Sequence, residues 1–494
     1  MSERFLLLPI LFPACAAFVF SVPALPLNRY RLRFWKDLAV LAAVLANSGL
    51  LLFLVWSPPA GTLTLFRLSG NAAFALHLDG LGRSFAALIA VLWPLTTLYA
   101  FEYMEHEGRE SRFYAWFLMT YGVVSGIALS GNLLTLYFFY EVMTLTTLPL
   151  VMHSMDGRAR YAGRWYLMYS VGGAALAFIP LAFSLLHGGG NFALGGTLGS
   201  WPQLPVNILL STYFLGFTGF GVKAAVFPFH GWLPAASVAP TPVTALLHAV
   251  AVVKAGVFAI IRLTWYVYGP EPLRGTWAQT AAFAMACLTI LYGSSMALAA
   301  HHLKRRFAYS TISQLSYILL GVLLLTPEGL VGALTHLTAH AVMKINLFFC
   351  VGAILCRTRR EYLFDMRGIA MGMPWTFLAL LGSGLALCGL PPAAGFMGKW
   401  QLGIAAASAP PLGYAGLVVI GVSAVLTVLY VFSIFGTALM PGKNFDFRAA
   451  NEGVSDPSAR MLLPMSLLAA AAVLFGLYCG PMLRFFDEIA AGKL

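Results

Sequence analysis

The stretch Leu330-Val-Gly-Ala-Leu-Thr-His336-Leu-Thr-Ala-His340-Ala-Val-Met-Lys344-Ile-Asn-Leu-Phe-Phe-Cys-Val-Gly-Ala-Ile-Leu355 decides how the whole chain is read. It is long and apolar enough for one helix to cross a bilayer, which takes about 20 such residues. Yet it holds two histidines and a lysine. They recur every fourth residue, so a helix stacks them a turn apart on one face. Each ionisable group in hydrocarbon costs about 2.5–3.5 kcal/mol on insertion scales and is expected to have a use or a partner.

Similar apolar runs recur along the chain, and fourteen are expected to span. The first seven are Phe5–Val22, Leu38–Trp56, Leu81–Tyr99, Phe113–Leu129, Leu133–Met152, Trp165–Leu186 and Ile208–Phe229. The other seven are Val243–Tyr266, Trp277–Leu298, Phe307–Leu325, Leu330–Leu355, Trp375–Trp400, Leu412–Leu439 and Leu462–Met482. With 60% hydrophobic and 10% charged residues, a soluble domain is excluded, because it lacks charge to cover its surface. A membrane β-barrel is excluded because its strands alternate apolar and polar residues, and these runs do not. Phe5–Val22 is followed by no clean cleavage site, so it reads as a span rather than a signal peptide. The six cysteines lie in or beside apolar runs and form no Cys-x-x-Cys pair, which argues against an iron–sulfur or zinc site.

The net charge of +12 does not point to nucleic acid. With the N-terminus outside, nineteen Lys and Arg fall in inner loops and five in outer ones, the positive-inside pattern. Both termini are then expected outside. Six basic residues remain in or at the ends of spans: Arg83, Lys223, Lys254, Arg262, Lys344 and Lys399. Arg83 and Arg262 sit near span ends, where a long side chain can snorkel to the headgroups. Among acids only Glu141 is deep in a run, while Asp79 stands at the mouth of the third span, where helix capping suffices.

Lys223 is the natural partner for Glu141. Such a pair can trade ionisation states as a proton arrives or leaves, or it can be a static buried ion pair. His336, His340 and Lys344 form a plausible stepping path for protons, since histidine titrates near neutrality. Two other readings stay open for them. The spacing of His336 and His340 is also that of zinc ligands, though Lys344 repels a cation, and both can be satisfied core histidines. On a regular helix His248 and Lys254 point about 120° apart, which directs Lys254 toward Lys223 and His248 onward.

Gly and Pro flank two of the lysines, in Lys223-Ala-Ala-Val-Phe-Pro228-Phe-His230-Gly231 and in Gly389-Leu-Pro391-Pro392-Ala-Ala-Gly395 before Lys399. Interrupted helices are expected there, with freed backbone groups lining a polar cavity. Paired interruptions in two halves point to a transporter's site. The expected fold is an all-α integral membrane protein with two inverted five-helix repeats, each containing a broken helix. Residues 1–105 form an N-terminal three-helix segment, 113–266 and 277–439 the repeats, and 460–494 a C-terminal helix. No loop is long enough for a soluble domain, and no phosphate loop or nucleophile elbow is present. No cofactor and no metal are expected.

The chain resembles the antiporter-like subunits shared by complex I (NADH:quinone oxidoreductase), Mrp-type cation/proton antiporters and group 4 membrane-bound hydrogenases. The resemblance rests on Phe138-Phe-Tyr-Glu141-Val-Met, on Gly221-Val-Lys223 through Trp232-Leu-Pro, and on Ala239-Pro-Thr-Pro through His248. It extends over Leu303–Gln314, His336-x-x-x-His340-x-x-x-Lys344 and Gly395-Phe-Met-Gly-Lys399. It implies fourteen helices and one proton-translocation unit along a hydrophilic axis in the membrane plane. It also implies a Glu141–Lys223 pair, an onward link through Lys254 or His248, and Lys399 at an exit half-channel. The implied partners are other membrane subunits of an Mrp-type, complex I-type or hydrogenase-type assembly. The implied site is a bacterial or archaeal cytoplasmic (inner) membrane. The resulting expectation is a subunit moving H+, alone or in exchange for Na+, through Glu141, Lys223, Lys254, His248, His336, His340, Lys344 and Lys399. It would have no redox site of its own even within a proton-pumping oxidoreductase. Two alternatives are an integral membrane enzyme using His336 and His340 on a lipid, and a non-transporting assembly subunit.

Overall fold

Capping residues set where the helices begin. Asn132, Asp156, Thr276, Thr326 and Ser458 each accept a backbone N–H from the first turn that follows, a contact whose loss costs about 1 kcal/mol. The computed structural model describes residues 2–21, 29–70, 72–198, 205–440, 442 and 445–494. Val22 of the first expected span, the loop residues 199–204, and Lys443 with its neighbours 441 and 444 lie outside the described residues.

A short 3-10 turn leads into α1 (Leu8–Ser21), followed by α2 (Arg29–Trp56). A hairpin of β1 (Leu63–Ser69) and β2 (Ala72–Leu76) precedes α3 (Gly80–Glu107), α4 (Glu110–Ala128), α5 (Leu133–Val151) and α6 (Gly157–Leu186). Next come α7 (Val206–Lys223), the short α8 (Trp232–Ala236), α9 (Thr241–Ala249) and α10 (Val252–Ile261), which runs on as a π-helical turn to Tyr268. The remainder is α11 (Trp277–Ala299), α12 (Leu303–Leu323), α13 (Pro327–Thr358), α14 (Pro374–Cys388), α15 (Ala394–Ala407) and α16 (Leu412–Leu439). Short α17 (Phe447–Ala450), α18 (Ala459–Leu477) and α19 (Gly480–Ala490) complete it.

Ten helices among the described residues are long and apolar enough to cross a membrane. The other four expected spans are helical too, but each is short, polar or broken. α4 carries Thr120, Ser125 and two tyrosines, and α12 begins with Lys304, Arg305 and Arg306. α7 stops at Lys223, and the run Trp375–Trp400 is divided between α14 and α15. Each break contains a cis X-Pro peptide, Phe227–Pro228 and Pro391–Pro392. Gly389 ends α14 at φ +82°, a left-handed conformation that side chains other than glycine's disfavour.

The expected regular helix over Val243–Tyr266 is also interrupted. Val250 (φ −136°, ψ −49°) and Ala251 (φ −79°, ψ −94°) leave helical geometry between α9 and α10. The whole Thr241–Tyr268 stretch is buried, and α13 nearly so, whereas α1 and α18 are peripheral. α13 therefore forms the axis of the second half, packed against α9, α12, α14 and α15.

Two features went unread in the sequence. The hairpin pairs Leu63 with Leu76 and stacks Phe66 on Phe74, with ring centroids 4.5 Å apart. Its alternating residues around Gly70-Asn71 carried the signal. α19 is an amphipathic helix too short for a span, with Phe486 and Ile489 buried and Arg484, Asp487 and Glu488 outward.

Candidate ion-translocation site

At one end of a row of enclosed bases lies the only carboxylate among the described residues that pairs with any of them. Lys223, the last residue of α7 and 1% exposed, brings Nζ to 3.3 Å from Glu141 Oε1. The same ammonium donates to the Tyr140 carbonyl and sits 3.3 Å from the centroid of the Tyr140 ring. Glu141 is less enclosed than its run of apolar neighbours suggested: its side chain is 29% exposed, on a face of α5 that looks out of the chain.

Lys254 does not turn toward Lys223. The interruption at Val250 and Ala251 removes the regular-helix angle, and Lys254 Nζ instead faces His340 Nδ1 at 3.0 Å. The backbones carrying the two lysines nonetheless touch, since a Cβ on Gly256 would lie 2.5 Å from Ala224 N. His248 packs on the Phe348 ring at 4.6 Å, and neither ring nitrogen has a hydrogen-bond partner among the described residues.

On α13 the rings of His336 and His340 are 6.3 Å apart, one turn from each other. His336 Nε2 meets Gln314 Oε1 of α12 at 3.0 Å, and its ring stacks on Tyr317. Lys344 donates to the Phe307 carbonyl at 3.1 Å. Lys399, in α15, donates to the Leu387 and Cys388 carbonyls at 2.9 Å each, the free end of α14. Carbonyls at a helix C-terminus favour a cation. Tyr317 lies between two of these residues: His336 stacks on its ring and Lys399 Nζ lies 5.9 Å from its centroid.

Six of the eight expected site residues are thus buried, and Glu141 and Lys399 are half-buried. Among the described residues no carboxylate forms an ion pair with Lys254, Lys344 or Lys399. No group of three or more His, Cys, Asp or Glu gathers there as a metal site. His336 Nδ1, His340 Nε2, Gln314 Nε2 and Ser316 Oγ are buried without a protein partner. Buried polar atoms of this kind are normally satisfied, commonly by ordered water.

Other buried charges escaped the sequence reading. Arg262 does not snorkel: it is 1% exposed and grips Asp79 with both terminal nitrogens, at 2.5 and 2.6 Å. Asp79 caps α3 as expected, accepting from Gly82 N, and serves this pair as well. Lys304 and Arg306, counted with the inner-loop charges, are buried. Lys304 donates to the Ala239 carbonyl at 3.2 Å, and Arg306 to those of Ala300, Leu298 and Tyr430. Outside the spans, burial holds His302 below the ordinary histidine range, against the pull of Glu361 at 3.2 Å.

Residues 130–427 match the family model described as NADH:quinone oxidoreductase/Mrp antiporter, TM. NADH-quinone oxidoreductase subunit N of Desulforudis audaxviator is 33% identical over 86% of this chain and 83% of its own length. Hydrogenase-4 component B of Escherichia coli is 32% identical over 82% of this chain, which spans 62% of that longer component. The fold is like that of a chain in the Mrp complex from Dietzia sp., with a TM-score of 0.83 at 24% identity over 99% of this chain and 97% of that one. The chain is a multi-pass membrane protein and belongs to the NADH:quinone oxidoreductase/Mrp antiporter transmembrane family.

Proposed function

We propose that the chain is the proton-translocating, antiporter-like subunit of a multisubunit membrane complex. The observation that carries this reading is a set of buried bases, in which Lys254 meets His340 and His340 lies one turn from His336, with Lys223 at one end paired to the one carboxylate that bonds any of them among the described residues. Protons pass between Glu141, Lys223, Lys254, His248, His336, His340, Lys344 and Lys399. Water on the unpartnered imidazole and amide atoms bridges stations that do not touch. Movement starts when Lys223 leaves or rejoins Glu141. The exposed side of Glu141 makes it the station that senses a charge in a neighbouring subunit. With only this carboxylate paired to the row among the described residues, the ligands suit hydrogen ions; exchange for Na+ would need oxygen ligands from elsewhere.

The partners are then other membrane subunits of an Mrp-, complex I- or hydrogenase-type assembly. The location is a bacterial or archaeal cytoplasmic membrane with both termini outside. The division into inverted repeats over 113–266 and 277–439 is supported by a recurring motif. In each repeat the residue capping the second helix bridges to the segment after the third, Asn132 with Asn191 and His302 with Tyr362.

Lys223→Ala and Glu141→Ala test the mechanism. Each is expected to abolish formation of a proton gradient by vesicles holding the intact complex, while subunit composition stays normal. Full pumping or exchange in either variant would overturn the pairing step.

A further inference from the structure

α3, α13 and the C-terminal helices line a crevice of about 220 Å³. Ala87, Val91, Thr338, Val342, Phe475 and Phe485 line it, and Thr338 has its hydroxyl turned back to the Leu334 carbonyl. The crevice is therefore apolar. Val91 at 50% and Phe475 at 38% exposure place its open side where hydrocarbon surrounds a multi-pass protein.

A cation stands at one end. Arg83, Ala87 and Val91 follow at four-residue intervals on one face of α3, so the trench runs roughly 12 Å below the arginine. Arg83 Nε donates to the Val55 carbonyl at 2.9 Å, and its guanidinium carbon lies 5.4 Å from the centroid of Phe485, a crevice residue. Its terminal nitrogens have no ion-pair or hydrogen-bond partner among the described residues, and the nearby acid Asp79 is taken by Arg262. The amphipathic α19, whose Phe485 closes this end, turns Arg484, Asp487 and Glu488 outward, which is how a helix lies at headgroup depth.

We propose that this crevice holds one acyl chain of an anionic phospholipid whose phosphate rests on Arg83. A phosphate matches the guanidinium's free donors, and the trench below accepts only hydrocarbon. The lipid packs against the reverse face of the helix carrying His336, His340 and Lys344, because Thr338 and Val342 lie about 200° around α13 from them. The inference rests on the chain being a membrane protein and is independent of the proton mechanism.

The test uses the full chain within its native complex, stripped of lipid by detergent and titrated with dioleoyl phosphatidylglycerol. Phe475→Trp supplies a reporter for quenching by the same lipid with brominated chains, read as the difference from the unsubstituted complex because the chain has eleven tryptophans of its own. Saturable quenching is expected, unaffected by inorganic phosphate. Arg83→Gln should weaken it about five-fold, in line with one arginine near anionic lipid, and Ala87→Phe should abolish it. Native mass spectrometry should count one phosphatidylglycerol fewer in Ala87→Phe. Should the Phe variant fail to fold, the Arg83→Gln titration still decides. Non-saturable quenching, equal quenching by phosphatidylcholine, or no quenching because a neighbouring subunit covers the crevice would each overturn the proposal.

Discussion

Among the described residues two ion pairs have a fully buried basic side chain, and they are built differently. Asp79 and Arg262 meet through two nitrogens and two oxygens, with Phe192, Phe258 and Tyr266 around the guanidinium at 4.5–5.0 Å. Glu141 and Lys223 meet through one contact at 3.3 Å, and the lysine also holds the Tyr140 carbonyl. The first geometry is a fork locked into one arrangement. The second leaves the ammonium two acceptors and the carboxylate an open side. Charge buried for structure is over-determined. The Glu141–Lys223 pair is held more loosely, as the proposed transfer role requires.

Removing one partner separates the two most sharply. Asp79→Asn strands the buried Arg262, and such a loss typically destabilises by about 3–5 kcal/mol. Thermal unfolding of the purified chain should show it. Glu141→Gln should leave the unfolding midpoint almost unchanged, because the side chain is partly exposed and Lys223 keeps its carbonyl, while proton transport falls to background. Equal stability losses in both would erase the distinction.

Steric change in the second half comes next. A Cβ on Gly398 would stand 2.7 Å from His336 Nδ1 and 2.9 Å from its Cα, so α15 and α13 must separate. Gly398→Ala should cost roughly 1–3 kcal/mol, the usual range for overpacking. It should slow transport with Glu141 and Lys223 untouched. Unchanged transport would remove His336 from the route.

Lys344→Met is the milder companion. Lys344 has one carbonyl partner, Phe307 O, which also accepts from Thr311 Oγ1 and so is not orphaned by the change. Replacing a buried amine that has no ion-pair partner by an apolar group of similar shape should stabilise, by roughly 1–2 kcal/mol, while transport drops. Stabilisation with full transport would mark Lys344 as dispensable; destabilisation would mark it as structural.

What the sequence made legible follows from this contrast. A lysine or histidine inside an apolar run stands out whatever the fold, so Lys223, Lys254, Lys344, Lys399 and the α13 stripe could be found without coordinates. Which group each one faces could not. Arg262 and Asp79 are 183 residues apart, and nothing local to either marks the other as its partner. Lys254 was misdirected because the break at Val250 and Ala251 contains neither Gly nor Pro, and burial on all sides holds it open. Glu141 looked deep because its neighbours are apolar, but apolar neighbours fit an outward face of a membrane protein equally well.

A third kind of buried group extends the comparison at the smallest scale. His153, in the turn after α5, brings Nε2 to 3.0 Å from the Gly108 carbonyl, and Nδ1 has no partner among the described residues. Burial holds it below the ordinary value of 6.5, with the Gly108 contact and Glu107 opposing and Arg112 and Arg109 assisting. A histidine lowered in the fold contributes stability that is present above pH 6.5. That contribution is lost as the pH falls through the folded value, where a second N–H must be buried without an acceptor. Stability should therefore decline on acidification below about 6.5, by at most about 1.4 kcal/mol per pH unit for this one proton. His153→Gln should flatten that part of the profile, and the Asp79→Asn offset should persist above it, where His153 is neutral. If the slope survives in His153→Gln, the titrating group lies elsewhere, and the turn between α5 and α6 is held by the Gly108 contact alone.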